Sequence, residues 1–512
     1  MTTISATTWS GRQFIDGRWQ TAAGETLEDR NPARADEIIG LCPRGTKADV
    51  DLAVAAARRA FVPWRRTSRI QRGELFGKLA ALIQSDVEQL ATLLAMECGK
   101  VLDEARAEVI EGLHMVQYVF GTARQPVGSI AASEIVGKDL FVRRKPRGVV
   151  GVITPWNFPF AVPFWMLAPS LLEGNTVVFK PSEETPAIGE HLVRLFDEAG
   201  FPPGTINLVH GLGEEVGEAL AGHADVDVVC FTGSFAVGSR IRQLAAKSDH
   251  KTCAIEAGSK SAVIVCEDAP LDLACDAAIL SAFKTTGQRC VSAGRILIHS
   301  RLFDVFAARF VRQAKLLRFG DPLDRKNFAG PLINEAAVEK VSYYNDLAVK
   351  EGAEVLLDGG RMTDPEHAGG HFMSPFVYRQ RHGAELRTIR EEVFGPHVAL
   401  IPFEDDDDAI RIYNDTPYGL SMAVITDDYR RWRYYRDECD YGMGYVNLPC
   451  IGAEVHLPFG GVKRSGNGRP SAAALVDAVT HKTAFTVNYD RSITMAQGMS
   501  AAVKPGEEKA AD

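Results

Sequence analysis

Short apolar segments alternate with helical patterns through residues 148–259, and this alternation limits the fold more than any other feature of the chain. Glycines and polar residues follow the strand-like segments, and apolar residues recur three or four positions apart between them. Such alternation is typical of a doubly wound parallel sheet with right-handed crossovers, in which ligands bind where the strands end. The predicted strands lie in GVVGVIT (148–154), NTVVFKPSEETP (175–186), GTINLVHG (204–211), VDVVCFTGS (226–234) and TCAIEAGS (252–259), with helices over 187–200 and 239–247.

A second alternating unit begins near Ser261 and continues to about residue 450. It opens with the strand SAVIVCE, a helix over residues 271–284 and the strand RILIHS. Ahead of the first unit, the spacing of apolar residues predicts three helices, over 47–60, 71–99 and 104–121. Residues 128–146 alternate as a β-ribbon, KTAFTVNY near the C-terminus reads as a strand, and the tail after Arg491 is expected to be disordered.

Size and composition indicate a globular protein of two or three domains. The chain has 512 residues, of which 46% are hydrophobic and 24% are charged. Its net charge of −9 gives it no general attraction for nucleic acid or an anionic membrane. Residues 148–172 carry no charged side chain, but four prolines argue against a membrane span and favour a buried strand, loop and helix.

The cysteines predict reduced thiols in the cytoplasm. There are nine, an odd number, without disulfide-scaffold spacing, and the N-terminus shows no secretory signal. No C-x-x-C pair and no histidine pattern has zinc-ligand spacing, so no metal site is predicted. The acidic run FEDDDDAIRIYN (403–414) is interpreted as a solvated helix start rather than a metal site.

Two loops carry features suited to a nucleotide. In FTGSFAVG, Gly233 and Ser234 stand between a strand and a helix, a context that suits a phosphate at a helix N-terminus. In FKPSEETP, Lys180 could reach a phosphate or a ribose hydroxyl, and Glu183 could accept from a ribose 2′-hydroxyl and so favour NAD over NADP. Taken singly, a packing glycine and a surface ion pair explain these residues equally well.

Three further residues have the chemistry of a nucleophilic site. Asn157 lies in a proline-bounded loop and either stabilises an oxyanion or ties its own loop together. Glu256 follows apolar residues, so it is either a general base of raised pKa or a structural ion-pair partner. Cys290 sits in the polar, glycine-bearing break FKTTGQRCVSAG, where it is either a nucleophile, with Arg289 favouring its thiolate, or a core residue.

The set of motifs is far more specific than its parts. TPWNFP, FKPSEETP, FTGSFAVG, IEAGSK, TTGQRC, EEVFGP and PFGGVKRSGNGR occur in this order, and the chain thereby resembles the NAD(P)-dependent aldehyde dehydrogenase superfamily over roughly residues 10–490. The interval from Glu256 to Cys290 is similar to the family's spacing of base and nucleophile. The resemblance implies an α/β fold with a Rossmann-type dinucleotide-binding domain (1–127 and 147–257), an α/β catalytic domain (258–474) and a β-ribbon oligomerisation arm (128–146 and 475–490), followed by the tail (491–512).

The resemblance also implies a role for each motif residue. Cys290 would attack the aldehyde, Asn157 and the Cys290 N–H would hold the oxyanion, hydride would pass to the cofactor, and Glu256 would activate the water that hydrolyses the thioester. The cofactor would be NAD, with NADP as the second candidate, and the protein a homodimer or homotetramer. The implied cofactor site consists of Ile153, Trp156, Lys180, Glu183, Phe231, Gly233, Ser234, Val237, Glu392 and Phe394.

The substrate is less determined, because the chain departs from the common family pattern. Ala257-Gly258-Ser259-Lys260 stands where Leu-Gly-Gly-Lys is usual. TGQRC and IGAEV (451–455) look similar to the α-aminoadipic semialdehyde, or antiquitin-type, branch, in which the arginine before the nucleophile helps hold the substrate carboxylate. Arg289 therefore suggests an acidic or amino-acid-derived semialdehyde, with a structural salt bridge as the alternative. Phe160, Phe164 and Trp165 either wall the substrate tunnel or belong to the core, and Glu454 is the remaining candidate substrate-site residue.

Three functions are carried forward. The first is a hydrolytic aldehyde dehydrogenase acting on a small-molecule aldehyde, which Cys290, Asn157 and Glu256 together favour. The second is a CoA-acylating relative, against which a water-activating Glu256 argues. The third is a catalytically silent NAD-binding homologue, against which the intact motif set argues.

Overall fold

A computed structural model describes residues 9–21, 24–491 and 493–496 of the chain. Two large sheets with helices on both faces form its core, which confirms the predicted α/β architecture. None of the helices in these ranges combines the length and hydropathy that a membrane span needs. The predicted disordered tail lies largely outside the described residues.

The first sheet has eight strands and contains every strand predicted between residues 148 and 259. Five central strands run parallel, and both edges are antiparallel. One edge strand comes from the predicted catalytic unit and pairs beside Glu256. In spatial order the strands are Gly466–Asn467, Thr252–Ala257, Val228–Gly233, Val149–Ile153, Thr176–Lys180, Ile206–Leu208, Gln13–Ile15 and Arg18–Gln20.

The second sheet has seven strands, and all but one edge strand run parallel. In spatial order they are Glu354–Leu357, Phe376–Arg379, His397–Phe403, Ala293–His299, Ser261–Val265, Ser421–Ile425 and Met443–Val446. Its interior strands are mostly apolar and buried on both faces, as expected for parallel strands covered by helices, and the polar residues Ser261, Arg295 and Ser421 in them are buried as well.

Smaller strands complete the two units. A three-stranded sheet near the N-terminus is formed by Trp9–Ser10, Ile38–Pro43 and Thr26–Arg30. Two short pairs follow the second sheet along the chain: Tyr418–Gly419 with Val462–Lys463, and Pro458–Phe459 with Ser471–Ala472.

Thirteen α-helices occur in the described residues, and the predicted ones are present with shifted ends. The acidic run opens the helix Asp406–Asn414, and the Asp405 side chain caps that helix by accepting from the Asp408 N–H. The helices are Lys47–Arg66, Arg69–Cys98, Leu102–Thr122, Ala161–Leu172, Pro186–Glu198, Glu218–Gly222, Phe235–Ala245, Leu271–Phe283, Phe303–Ala314, Glu335–Lys350, Asp406–Asn414, Tyr429–Glu438 and Leu475–Val479.

The predicted ribbon stands apart from both large sheets. Gly128–Ala131 pairs with Lys138–Pro146, which pairs over nine residues with the C-terminal strand Thr480–Asn488. The ribbon carries exposed apolar side chains, among them Ile130 at 77% and Phe485 at 63%. A strand arrangement of this kind presents unpaired edges and apolar surface that another protein surface can cover.

The uncharged segment 148–172 folds as the sequence predicts, into a strand, a loop and a buried helix. Every residue of the helix Ala161–Leu172 is buried. Its first N–H groups are satisfied by Glu108, whose carboxylate accepts from the Phe160 and Ala161 amides at 2.8 and 3.2 Å. This arrangement anchors the loop that carries Asn157.

Candidate active site

A cavity of about 280 Å³ lies between the two large sheets, and it brings together the motif residues from most of the chain. Its wall contains residues from the loop after the strand Val149–Ile153, from the ends of two neighbouring strands, and from the 288–291 and 392–394 segments. The lining residues include Pro155, Trp156, Asn157, Thr232, Gly233, Ser234, Glu256, Gly258, Arg289, Cys290, Lys340, Glu392 and Phe394.

Cys290 ends the loop that follows the helix Leu271–Phe283 and opens into this cavity. Its thiol interacts with the Glu256 carboxyl group. Burial, reinforced by the negative charges of Glu256 and Glu392, raises the pKa of the Cys290 thiol well above its usual value. Without ligands the group is therefore a neutral thiol, and a proton acceptor is needed to make it a nucleophile.

Glu256 is that acceptor by position. It lies near the end of a central strand, next to Thr232 on the neighbouring strand, and it is completely buried. Burial, with a further contribution from the Glu392 charge, raises the pKa of Glu256 to about 8. Neither carboxyl oxygen has a hydrogen-bond partner within bonding distance. The Cys290 thiol and the Thr232 hydroxyl are the polar groups that face it, so the carboxyl group is available for proton transfer.

Asn157 is fixed from two sides. Its side-chain Nδ2 donates to the Gln288 backbone carbonyl at 2.9 Å, and its backbone carbonyl accepts from the Lys100 ammonium at 2.8 Å. Lys100 is in turn ion-paired with the buried Glu108. A primary amide carries two N–H donors and only one is used by Gln288, so the other can serve a ligand in the cavity.

Glu392 and Phe394 lie opposite Trp156 in the same cavity. The Ser259 amide donates to Glu392 Oε1 at 2.7 Å. The Phe394 and Trp156 rings pack edge to face, with their centroids 5.6 Å apart. A Cβ at Gly258 would lie 2.1 Å from Glu392 Oε2, so any side chain at that position would displace the Glu392 carboxylate. The departure at Ser259 leaves this close approach intact.

Lys180 and Glu183 form one ion pair at 2.6 Å. Although burial favours the neutral acid, the Lys180 ammonium lowers the pKa of Glu183. Both stand at the end of a parallel strand, where a doubly wound sheet binds ligands. Lys180 is buried and Glu183 is partly exposed, so the pair differs from the solvated surface ion pair that was the alternative interpretation.

The predicted phosphate loop has the expected strand-turn-helix geometry. Ser234 caps the helix Phe235–Ala245 by accepting from the Val237 N–H at 3.3 Å, and Val237 is half exposed. Ile153 and Phe231, which were predicted to lie beside the cofactor, are both buried and pair with each other on adjacent parallel strands. A Cβ at Gly233 would lie 2.5 Å from the Phe231 ring, so both residues shape the floor beneath the loop.

The predicted substrate residues require correction. Phe160 and Phe164 do not line the cavity: both are completely buried and pack on Gly112 and the Phe196 ring. They lie at the start of a helix that is buried on every face, so they point into the core. Glu454 is also outside the lining, with an exposed side chain 3.7 Å from His456.

Other aromatic residues take their place. Phe158, Trp165 and Phe459 line the cavity, and the Trp165 and Phe459 rings are 4.8 Å apart. Only Trp165 was a sequence candidate. Phe158 follows Asn157 directly, and its position beside a motif residue is the sequence feature that could have predicted its place in the cavity wall.

Arg289 lines the cavity and also holds its own loop. Its Nε donates to Thr285 Oγ1 at 2.8 Å, its Nη2 donates to Glu104 Oε2 at 3.2 Å, and the guanidinium lies over the Phe158 ring. The structural salt bridge that the sequence left as an alternative is therefore present. The same side chain also borders the cavity.

Glu111 is a cavity residue that sequence reasoning missed. It lies on the helix Leu102–Thr122, and its Oε1 is buried without a hydrogen-bond partner. Burial first, and the Glu108 charge second, raise the pKa of Glu111 to about 8. Glu108, on the same helix, accepts hydrogen bonds from the first amides of the helix Ala161–Leu172. Glu111 faces the cavity instead, and the spacing of the two residues in the sequence does not distinguish these roles.

Comparison with known proteins gives one result across the whole chain. Residues 19–484 match the family model described as "Aldehyde dehydrogenase family". The alpha-ketoglutaric semialdehyde dehydrogenase of Bacillus subtilis is 36% identical over 475 residues, which cover 92% of this chain and 97% of that protein. Aldehyde dehydrogenase 1A1 of Rattus norvegicus is 39% identical over 463 residues, with coverage of 89% and 90%.

A solved structure agrees with the sequence matches. The crystal structure of betaine aldehyde dehydrogenase from Staphylococcus aureus in complex with NAD+ superposes with a TM-score of 0.90 at 33% identity, covering 96% of this chain and 97% of that one. These matches span both large sheets, the ribbon and every segment of the cavity. The chain therefore belongs to the aldehyde dehydrogenase family, whose members are NAD(P)-dependent oxidoreductases.

Proposed function

We propose that this enzyme oxidises an aldehyde to a carboxylic acid through covalent intermediates on Cys290. One observation carries the proposal: Cys290, Glu256 and Asn157, which are up to 133 positions apart in sequence, converge on a single cavity with Glu392 and Phe394. A nucleophile, a buried base and an amide donor are the three groups that acyl transfer through a thioester needs.

The first step is formation of a thiohemiacetal. Glu256, in its ionised form, accepts the Cys290 proton, and the sulfur attacks the aldehyde carbon. The free N–H of the Asn157 amide and the Cys290 backbone N–H donate to the oxygen as it gains negative charge. Because Gln288 already holds the side-chain amide and Lys100 holds the backbone carbonyl of the same residue, little reorganisation is needed as charge develops.

NAD would be held along the cavity wall, and when bound it would supply the acceptor for the hydride that leaves the thiohemiacetal carbon as the thioester carbonyl forms. The donor set fits this dinucleotide. Ser234 and the helix it caps suit the pyrophosphate, and carboxylates at Glu183 and Glu392 suit ribose hydroxyls. The buried Thr232 hydroxyl, which has no hydrogen-bond partner, is a further donor on that wall. Phe394 and Trp156 offer the apolar surface that the nicotinamide ring requires.

The second step is hydrolysis of the resulting thioester. Glu256 takes a proton from water, the hydroxide adds to the acyl carbon, and the Cys290 sulfur leaves and is reprotonated. A base that is buried, unpaired and next to the sulfur supports hydrolysis over transfer to CoA, which would need no such base. The same arrangement argues against a silent homologue, because a protein that only binds NAD has no use for an unpaired buried acid.

We assign the substrate to the amino-acid-derived semialdehydes. Glu111 and Arg289 place one acidic and one basic side chain on the cavity wall, with Phe158, Trp165 and Phe459 as apolar surface. An ammonium group would supply the partner that Glu111 lacks, and a substrate carboxylate would extend the charge pairing of Arg289. The B. subtilis relative is named for alpha-ketoglutaric semialdehyde and the S. aureus one for betaine aldehyde, an anion and a cation respectively.

The ribbon supports a homodimer or homotetramer, since its exposed Ile130 and Phe485 need a covering surface. All nine cysteines are unpaired in the structure, which suits a reducing compartment such as the cytoplasm.

Two measurements test the proposed function. Cys290→Ala should bind NAD with wild-type affinity in a fluorescence titration and form no NADH at 340 nm; turnover near the wild-type rate would refute the nucleophile assignment. A substrate panel then compares α-aminoadipic, succinic and alpha-ketoglutaric semialdehydes with betaine aldehyde and a neutral aliphatic aldehyde.

The panel is repeated with Glu111→Gln, which keeps the side-chain size and removes the charge. We expect kcat/KM to fall at least tenfold for the amino-bearing substrate and less than threefold for succinic semialdehyde. Equal losses for both, or a wild-type preference for betaine aldehyde, would contradict the substrate class while leaving the chemistry at Cys290 untouched.

A further inference from the structure

The loop that presents Cys290 is held in an unfavourable backbone conformation. Thr285 and Thr286 have φ of 53° and 56° with ψ of 31° at both. This left-handed region is uncommon for any residue with a Cβ and is a genuine outlier for a β-branched one. Two adjacent threonines in it mean that surrounding contacts, and not local preference, determine the path of the chain four to five residues before the nucleophile.

Glu104 supplies those contacts on the side of the loop that faces the helix Leu102–Thr122. Its carboxylate accepts from Thr285 twice, from the hydroxyl at 2.5 Å and from the amide at 3.4 Å. It also pairs with Lys284 and Arg289, each at 3.2 Å. One buried carboxylate thus joins three residues of the loop, including the immediate neighbour of Cys290.

The other side of the loop is held by neutral groups. The Thr286 hydroxyl donates to the Gly330 carbonyl at 2.7 Å, and the Gln288 side chain bonds to Pro331 and Ile333. Gly287, with φ of 74°, packs so closely on Gly395 that a Cβ would lie 2.3 Å from its carbonyl oxygen. These contacts hold residues 286–288. Glu104 adds the charged contacts to residues 284, 285 and 289, beside the Lys284 bond to the Phe328 carbonyl and the Arg289 amide bond to Ser292 Oγ.

Electrostatics agree with this role. Although burial favours the neutral acid, the Arg289 and Lys284 charges lower the pKa of Glu104. The carboxylate is therefore ionised at neutral pH despite being almost fully buried. A charged acceptor makes stronger hydrogen bonds than an amide oxygen, and several donors converge on it here.

We propose that Glu104 is a positioning residue for the nucleophile: its carboxylate holds the left-handed 284–289 loop in the one arrangement that directs Cys290 toward Glu256 and Asn157. The proposal rests on the proposed function only in taking Cys290 as the reacting group. It assigns no contact between Glu104 and the substrate. It also explains why one edge of the Arg289 guanidinium is bonded to Glu104 and Thr285.

The test is a rescue experiment in the full-length enzyme. Glu104→Gln removes the charge, and the loop should relax away from the left-handed region. We expect kcat/KM for the aldehyde to fall 10- to 100-fold, the rate of Cys290 alkylation by iodoacetamide to change at least fivefold, and the Kd for NAD to stay within twofold. Glu88→Gln, which breaks an exposed ion pair with Arg106 between neighbouring helices, is the matched control and should change none of these.

The second variant is Thr285→Gly, because Thr285 is the left-handed residue that Glu104 holds and glycine takes positive φ without steric cost. In the Glu104→Gln background it should restore at least fivefold of the lost kcat/KM and return the alkylation rate toward that of the wild type. If Glu104 merely stabilised its helix, a glycine in the loop would lower activity further, and that result would overturn the proposal. Wild-type kinetics in Glu104→Gln would overturn it as well.

Glu104→Asp covers the case in which Glu104→Gln does not fold. It keeps the charge on a shorter side chain that reaches fewer of the donors, so an intermediate loss with the same rescue is expected, and a loss without rescue counts against the proposal. Failure of the proposed function is recognised separately, because Cys290→Ala would then retain turnover whatever Glu104 does.

Discussion

Glu256→Gln should make the enzyme more stable as pH rises, relative to the wild type, while it stops turnover. Glu256 is completely buried, and its pKa is raised from 4.5 to about 8. An unfolded chain releases this proton near pH 4.5, whereas the folded protein keeps it until about pH 8. Between these values the folded state binds more protons than the unfolded state, so the stability contributed by this group falls as pH rises.

The size of this loss of stability follows from the pH range between the unfolded-state and folded-state pKa values of Glu256. Each pH unit within this range is worth about 1.4 kcal/mol, so the wild type should lose about 3 kcal/mol between pH 6 and pH 8 on account of this carboxyl group. Glutamine does not titrate, and the fixed cost of burying its amide is the same at both pH values. The pH-dependent difference between the two proteins therefore isolates the acid.

Thermal unfolding at pH 6, 7, 8 and 9 measures that difference. We expect the Tm of Glu256→Gln minus that of the wild type to rise by roughly 3 °C from pH 6 to pH 8 and then to level off, because the Tm of a chain of this length shifts by about 1 °C per kcal/mol. A difference that is flat from pH 6 to pH 9 would mean that Glu256 is ionised throughout, and the reasoning about its burial would be wrong. The same variant should show no steady-state NADH formation, because both the activation of Cys290 and the hydrolysis of the thioester have lost their base.

The cofactor site gives two further predictions. Glu183→Gln should reduce the ratio of kcat/KM for NAD to that for NADP by about tenfold, since a carboxylate that accepts from the ribose 2′-hydroxyl also repels a 2′-phosphate; an unchanged ratio would show that Glu183 only pairs with Lys180. Gly258→Ala should weaken NAD binding at least tenfold in a fluorescence titration without slowing Cys290 alkylation, because the new Cβ would lie 2.1 Å from Glu392 Oε2. Wild-type NAD affinity in Gly258→Ala would mean that Glu392 does not contact the cofactor.

The strands of the two large sheets were predictable because each is marked by residues close together in the sequence. Apolar strands such as Val149–Ile153 and Ser261–Val265 are bounded by glycines and polar residues, and both occur where the sequence predicts them. The partners of Glu256 were not predictable from periodicity, because they come from a strand 24 residues upstream and from a short segment 210 residues downstream. Only the order of the motifs suggested that Asn157, Glu256 and Cys290 meet.

The substrate side was predicted least well, and the reason is geometric. Phe160, Phe164 and Trp165 share one short apolar segment, and an apolar run does not reveal which side chain leaves the core. In the structure Trp165 reaches the cavity and the two phenylalanines do not, because the helix Leu102–Thr122 packs against them through Gly112. Glu104 and Glu111, seven residues apart on that same helix, looked like ordinary charged positions.

The positions of these two acids show how this helix serves the site. Glu104 meets four donor groups from three residues of the nucleophile loop and is ionised, whereas Glu111 meets none and keeps its proton to about pH 8. Seven residues is nearly two helical turns, so both carboxylates project from one face toward the same end of the molecule. The first acid completes its charge pairing within the protein, and the second is left for a partner from outside. One helix face therefore both supports the nucleophile and offers a site for a cationic group, which is why losses of rate and losses of specificity should separate between substitutions at Glu104 and at Glu111.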